Sequence, residues 1–158
     1  MSEPVTVVIP GEPQGKARPR FNGRSGVYTP AKTVAYEEMI GILAKSSMRG
    51  KEALTGALHI DLRAVMPIPK GWSKAKRNAA IIGEIRPTSK PDIDNIIKVV
   101  ADGMNQIVYA DDAAIASVSA SKVYGLNPFV AVTVKPVSAA YPQQANQEGA
   151  HVGSGHRP

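Results

Sequence analysis

The 158-residue sequence predicts an α+β fold, a single small domain in which helices pack against a mixed β-sheet. Three observations carry this. Residues 57–66 (ALHIDLRAVM) alternate apolar with polar, the period of a half-buried strand. Residues 93–107 repeat their apolar positions at helical spacing. Shorter strand-like runs and a second helical segment are interspersed with these, and no internal repeat suggests a solenoid. The length suits one domain with a core of its own. No cysteine is present, so neither disulfides nor thiolate metal sites are available.

In chain order, Thr6–Ile9 reads as a strand stopped by Pro10. Residues 11–30 (GEPQGKARPRFNGRSGVYTP) read as loop, because Gly and Pro at this density break both regular structures. Thr29-Pro30 predicts a helix start, with Thr29 as N-cap and Pro30 as first residue. That helix runs to about Ser46, with Val34, Met39, Ile40 and Leu43 among its apolar positions, and Gly50 lies beyond its end. In the strand at 57–66, Leu58, Ile60, Leu62 and Ala64 point inward; Pro67 and Pro69 close it. Ser73 is placed to cap a short helix over Lys74–Ile82, and EIRPTSKP is a second loop.

A further helix spans about Ile93–Ile107. Ile93, Ile96, Ile97, Val100, Ala101, Met104, Ile107 and Val108 fill an arc about 140° wide, a core-facing stripe. Tyr109–Asp112 turns the chain into a strand over 114–124. Gly125–Pro128 then connects it to a last strand, Phe129–Lys135, and the pair reads as a hairpin. The folded domain is thus expected over 1–137. Residues 138–158, rich in Gln, Gly, Ala and Pro and lacking any apolar period, read as a disordered tail.

The formal net charge is +6 at pH 7, a balance that points towards polyanions, nucleic acid above all. The first ten residues show no secretory signal and no apolar run reaches membrane-spanning length, so a cytoplasmic protein without a membrane partner is expected.

The acidic residues are fewer but patterned. In a regular helix Asp92 and Asp94 would point about 200° apart. Pro91 changes this, pushing Lys90 towards extended geometry and leaving Asp92 as the N-cap, outside helical dihedrals. The D-x-D is then compatible with a shared cation, and equally with plain capping and dipole compensation. Lys98 follows Asp94 by one turn, on the flank of the apolar stripe, where it can pair with Asp94, act as a catalytic cation, or do both. Asp111-Asp112 is a second acidic element, and sequence does not decide whether it approaches the first. Asp102 reads as solvated or structurally hydrogen-bonded. Three convergent carboxylates suit Mg²⁺, which takes hard oxygen ligands and keeps several waters. The metal would activate a water towards a phosphodiester.

Two basic segments accompany the carboxylates. GKARPR carries Lys16, Arg18 and Arg20; PKGWSKAKR carries Lys70, Lys74, Lys76 and Arg77; and Lys90 precedes the aspartates. Each is either a solvated surface or part of a phosphate track, and together with the acidic pair they favour the track. Trp72 either anchors to the core or stacks on a base. His59 reads as a strand surface residue. No serine–histidine arrangement and no nucleotide-binding glycine loop stand out, so no small-molecule cofactor is expected.

GEPQGKARPRF…YTP, MPIPKGWSKAKR, SKPDIDNIIKVVADGMN and VYADDAAI, in this order over roughly residues 5–135, resemble a RusA-type Holliday junction resolvase, a family common in phages and prophages. The resemblance implies a homodimeric, Mg²⁺- or Mn²⁺-dependent endodeoxyribonuclease that cuts two opposing strands of a four-way junction, in recombination and repair. By motif match it puts the catalytic, metal-holding carboxylates at Asp92, Asp94 and Asp112, with Asp111 as an additional metal position, and the essential lysine at Lys98. An isologous dimer suits a junction of near two-fold symmetry. The competing readings are a basic junction- or single-strand-binding protein without chemistry, and a nuclease acting more broadly on forks and flaps.

Overall fold

Over residues 2–138, which the computed structural model describes, the elements are β1 (Val5–Pro10), β2 (Arg20–Asn22), β3 (Gly26–Tyr28), α1 (Ala31–Ser47), β4 (Leu58–Pro67), α2 (Lys74–Ile81), α3 (Ile93–Met104), β5 (Ile115–Gly125) and β6 (Phe129–Pro136). A 3₁₀ turn, Asp112–Ala114, leads into β5. The expected tail lies, beyond its first residue, outside the described residues.

Alternation along the strands builds the core. Val5, Val7 and Ile9 of β1, Leu58, Ile60, Leu62 and Ala64 of β4, and Val130, Val132 and Val134 of β6 are all buried in one cluster. Tyr36, Ile40 and Ala44 of α1 and Ile96, Val99, Val100 and Met104 of α3 complete it. Each fully buried Val, Leu or Ile contributes about 1.5–3 kcal/mol of transfer free energy, so this layer is the main stabilising term. The α+β class with a mixed sheet is therefore the fold found.

The sheet order is β1-β6-β4-β5. β6 runs antiparallel to both β1 and β4, whereas β4 and β5 are parallel. The predicted hairpin between the last two strands is therefore not formed, because β4 lies between them. Two strand spacings are about 9.5 Å, and the four Cα steps from Gly125 to Phe129 reach about 13 Å. A three-residue loop thus suffices to cross the end of β4 at Pro67. Its tightness shows at Gly125, where a Cβ would sit 2.5 Å from Val65 Cγ1.

The segment read as loop contains a second, two-stranded sheet, β2–β3. Asn22 Oδ1 accepts from the backbone N–H of Arg24 (3.1 Å) and Ser25 (2.7 Å), and Gly26 takes φ +80°. This is a three-residue hairpin with glycine in the left-handed position.

Ser73 caps α2 as expected, its Oγ accepting from Lys76 N. At α1 the cap shifts by one: Pro30 is the N-cap and no side chain caps the helix. Its inward stripe is Thr33, Tyr36, Ile40 and Ala44, while Val34 is 39% exposed. α3 ends at Met104 rather than Ile107, just before Gln106 adopts φ +62°. Its buried arc is also turned towards α1 and includes Val99 and Gly103. Gly103 is required there: a Cβ would lie 2.7 Å from Ile40 Cγ2 and 3.2 Å from Glu37 O. Gly103→Ala should destabilise the fold by about 1–3 kcal/mol, the cost of overpacking a well-packed contact, measured by urea denaturation.

Candidate metal centre and nucleic-acid interface

The start of α3 holds the acidic pair. Asp92 is its N-cap, with extended dihedrals (φ −69°, ψ 146°), yet its carboxylate accepts no N–H from the helix. Asp94 sits in the first turn. Asp92, Asp94 and Lys98 are exposed. Among the described residues their side chains make no hydrogen bond or ion pair, so the Asp94–Lys98 pair is not formed. The helix dipole favours negative charge at this end.

Two contacts fix this helix start. From β5, Lys122 Nζ donates to Ser89 O (2.8 Å) and Pro91 O (3.0 Å). The Lys90–Pro91 bond between them is cis. The glycine loop makes the second contact: Lys16 N donates to Asn95 O at 2.8 Å. Gly15 lies so close that a Cβ would be 3.0 Å from both Asn95 Cβ and Pro91 Cβ. The Asp92 segment is thus clamped between an edge strand and a loop.

Lys16, expected on a phosphate track, is engaged inside the fold. Its ammonium is bonded to Glu37 of α1 and to Asp102 of α3, the latter at 2.9 Å. Burial by itself lowers its pKa, but the hydrogen bonds and charges of Glu37 and Asp102 outweigh this and leave it raised. Asp102 is accordingly a structural partner.

The second acidic element is fastened elsewhere on α3. The buried Tyr109 hydroxyl donates to Ala101 O at 2.8 Å. Burial raises its pKa, and the negative charges of Asp112 and then Asp102 raise it further. Asp111 is used as a cap, its Oδ1 accepting from Ala113 N at 2.8 Å, while the exposed Asp112 has no hydrogen bond or ion pair among the described residues. Ala101 lies seven residues from Asp94, about 10 Å of helical rise. Among the described residues no three His, Cys, Asp or Glu side chains come together as a metal-binding group. The donor set nevertheless fits a hard cation in kind: Mg²⁺ commonly takes one or two carboxylates, with water and substrate phosphate completing its shell.

A groove of about 970 Å³ opens beside the helix start. Arg18, Arg20, Lys32, Lys90 and Asp92 line it, together with Lys16. Four predicted cations and one predicted carboxylate are thus brought around one concavity. Lys32 escaped the sequence reading. Its signal is a cation in the first turn of α1, a place where the helix dipole disfavours one.

Lys74, Lys76 and Arg77 lie on α2, away from the groove lining. Lys76 Nζ sits 4.0 Å over the Trp72 ring, and Trp72 packs edge-on against Tyr124 of β5 at 5.2 Å. Arg77 Nη1 donates to Pro69 O at 3.4 Å. Trp72 is therefore an anchor of the α2 segment on the sheet.

A family model described as endodeoxyribonuclease RusA matches residues 10–135, from the end of β1 to the end of β6. The chain belongs to the RusA endodeoxyribonuclease family. The RusA match spans the helix start, the groove cations from Lys16 to Lys90, and the Asp111-Asp112 turn. The chain is also 35% identical over 140 residues to the uncharacterized protein YqaN of Bacillus subtilis (strain 168), an alignment covering 85% of this chain and 98% of that protein. Among the described residues no helix is long and apolar enough to cross a membrane.

The Lys16 clamp has a pH signature. A raised lysine pKa means its stabilisation is fully present below the ordinary value of 10.5 and is lost as pH rises through the folded-state value. Lys16→Met should cost about 1–2 kcal/mol at pH 7. The gap to wild type should hold up to about pH 10 and narrow above it, as read from denaturation midpoints across pH.

Proposed function

We propose that this RusA-family chain is a divalent-metal-dependent endonuclease that cuts four-way DNA junctions by symmetric phosphodiester hydrolysis, acting as a homodimer in the cytoplasm. One observation carries the reading. Two carboxylates at a rigidly held helix start have no protein partner among the described residues, and the first of them lines a groove whose other charged walls are mostly cationic. An acidic pair would repel DNA unless cations surrounded it, and here they do.

In this reading Asp92 and Asp94 hold Mg²⁺ or Mn²⁺, with Asp112 the third carboxylate on the strength of the motif match. Asp111, already bonded to Ala113 N, serves the turn. Such a cation, when bound, supplies charge neutralisation at the scissile phosphate and activation of water. The other roles belong to side chains. Arg18, Arg20, Lys32 and Lys90 bind phosphates on either side of Asp92 and set the register of the strand. Lys98 lies one helical turn beyond Asp94, exposed and without an ion-pair partner among the described residues. It meets the negative charge that develops on the departing oxygen. Lys122 and the glycine loop keep the carboxylates from shifting as phosphate arrives. A homodimer related by a two-fold axis presents one such site to each of two opposing strands.

The test is nicking of a synthetic four-way junction, compared with fork, flap and linear duplex of the same sequence. Mg²⁺-dependent, paired nicks are expected in the junction. Asp92→Asn and Asp94→Asn should each lower the cutting rate by at least about 100-fold, the scale of losing an electrostatic element of a site, while junction binding persists. Wild-type cutting by both variants would refute the assignment, and binding without cutting by wild type would favour a module without chemistry.

A further inference from the structure

The β2–β3 hairpin stands apart from the four-stranded sheet and carries Phe21, the most exposed large apolar side chain among the described residues, at 76%. The chain has only two phenylalanines, so this placement calls for a cause. Phe21 is directly opposite Val27, itself 70% exposed, and Arg20 is opposite Tyr28. Opposed residues of an antiparallel pair share a face, and successive residues alternate. One face of the hairpin is therefore an uncovered Phe21–Val27 pair, and the other carries Arg20 and Tyr28.

Both ends of the hairpin are rooted in the groove. Arg18 and Arg20 line it on the way in, and Pro30 and Lys32 on the way out. Residues 18–28 carry Arg18, Arg20 and Arg24 and no acidic residue. A second copy docked here across a two-fold would set these arginines against their own kind. The fitting occupant is anionic yet presents flat apolar faces, which describes a DNA strand whose bases are unstacked. A two-stranded hairpin alone is marginally stable, so it can adapt to such a ligand.

We infer that the hairpin places its Phe21–Val27 face against unstacked nucleobases at the branch of DNA whose backbone lies in the adjoining groove. It selects branched over continuous duplex. The inference rests on the nuclease reading above and adds a structure-selecting element to it.

The experiment compares wild type and Phe21→Ala on a four-way junction carrying 2-aminopurine at the branch and on a linear duplex of equal length. Asp92→Asn is added to both proteins for binding measurements. Wild type should raise 2-aminopurine fluorescence. Phe21→Ala should lose that rise and bind the junction roughly 5- to 150-fold more weakly, the range for one base–aromatic stack, with duplex affinity unchanged. Phe21 is exposed, so the variant folds, checked by an unaltered melting curve. An unchanged fluorescence rise and junction affinity in Phe21→Ala would overturn the inference. So would an altered mass by light scattering with DNA parameters unchanged, which would assign the face to a contact between copies. Wild type that binds and cuts junctions while 2-aminopurine stays quenched overturns the hairpin role alone. Wild type that neither binds nor cuts DNA overturns the nuclease reading with it.

Discussion

The candidate site depends on one constraint, the hold of Lys122 on the carbonyls of Ser89 and Pro91. An N-cap residue is set by the chain that enters the helix, and that chain here is a proline-broken loop with no regular structure of its own. A lysine from the edge strand β5 supplies its missing backbone partners, at the cost of desolvating an ammonium. Hydrogen bonds to a charged donor are worth about 1.5–3 kcal/mol each, enough to fix a segment that local propensity leaves loose. The parallel pairing of β4 and β5 brings Lys122 to this place.

The charged groups divide in a similar way between fold and site. Lys16 bridges Glu37 and Asp102, so these two acidic residues of α1 and α3 are engaged within the fold. Asp111 is bonded into its turn. Of the aspartates in the two acidic motifs, Asp92, Asp94 and Asp112 remain without such a bond, and around the first of them Arg18, Arg20, Lys32 and Lys90 outnumber the groove's other carboxylate, Glu12. The distinction between structural and available carboxylates comes from hydrogen bonding, since all of these groups look alike as letters in a sequence.

What could be read from sequence was local chemistry. Ser73 three residues before Lys76, and Asp92 after Pro91, mark helix starts because capping involves only a few adjacent residues. The alternation of β4 was legible because ten residues suffice to show a period. The β2–β3 strands, three residues each, are too short to show one, and the Asn22 turn that organises them was masked by flanking Gly and Pro. Strand order was illegible because pairing joins residues far apart, and a short Gly–Pro loop serves a hairpin or a crossing equally well. The same limit applied to the site. Asp92, Asp94 and Lys98 lie within about two turns of one helix, whereas the Lys16 clamp spans three elements and the position of Asp112 depends on the Tyr109–Ala101 bond.

The central claim is that the start of α3 is a cation site built by a helix cap. Mn²⁺ binding to the protein–junction complex, followed by electron paramagnetic resonance, tests it most directly. The account predicts that the Asp92→Asn/Asp94→Asn double variant loses the bound-ion signal. Asp111→Asn should keep it, because an asparagine side chain still caps that turn. Retention of the wild-type signal by the double variant would contradict the account.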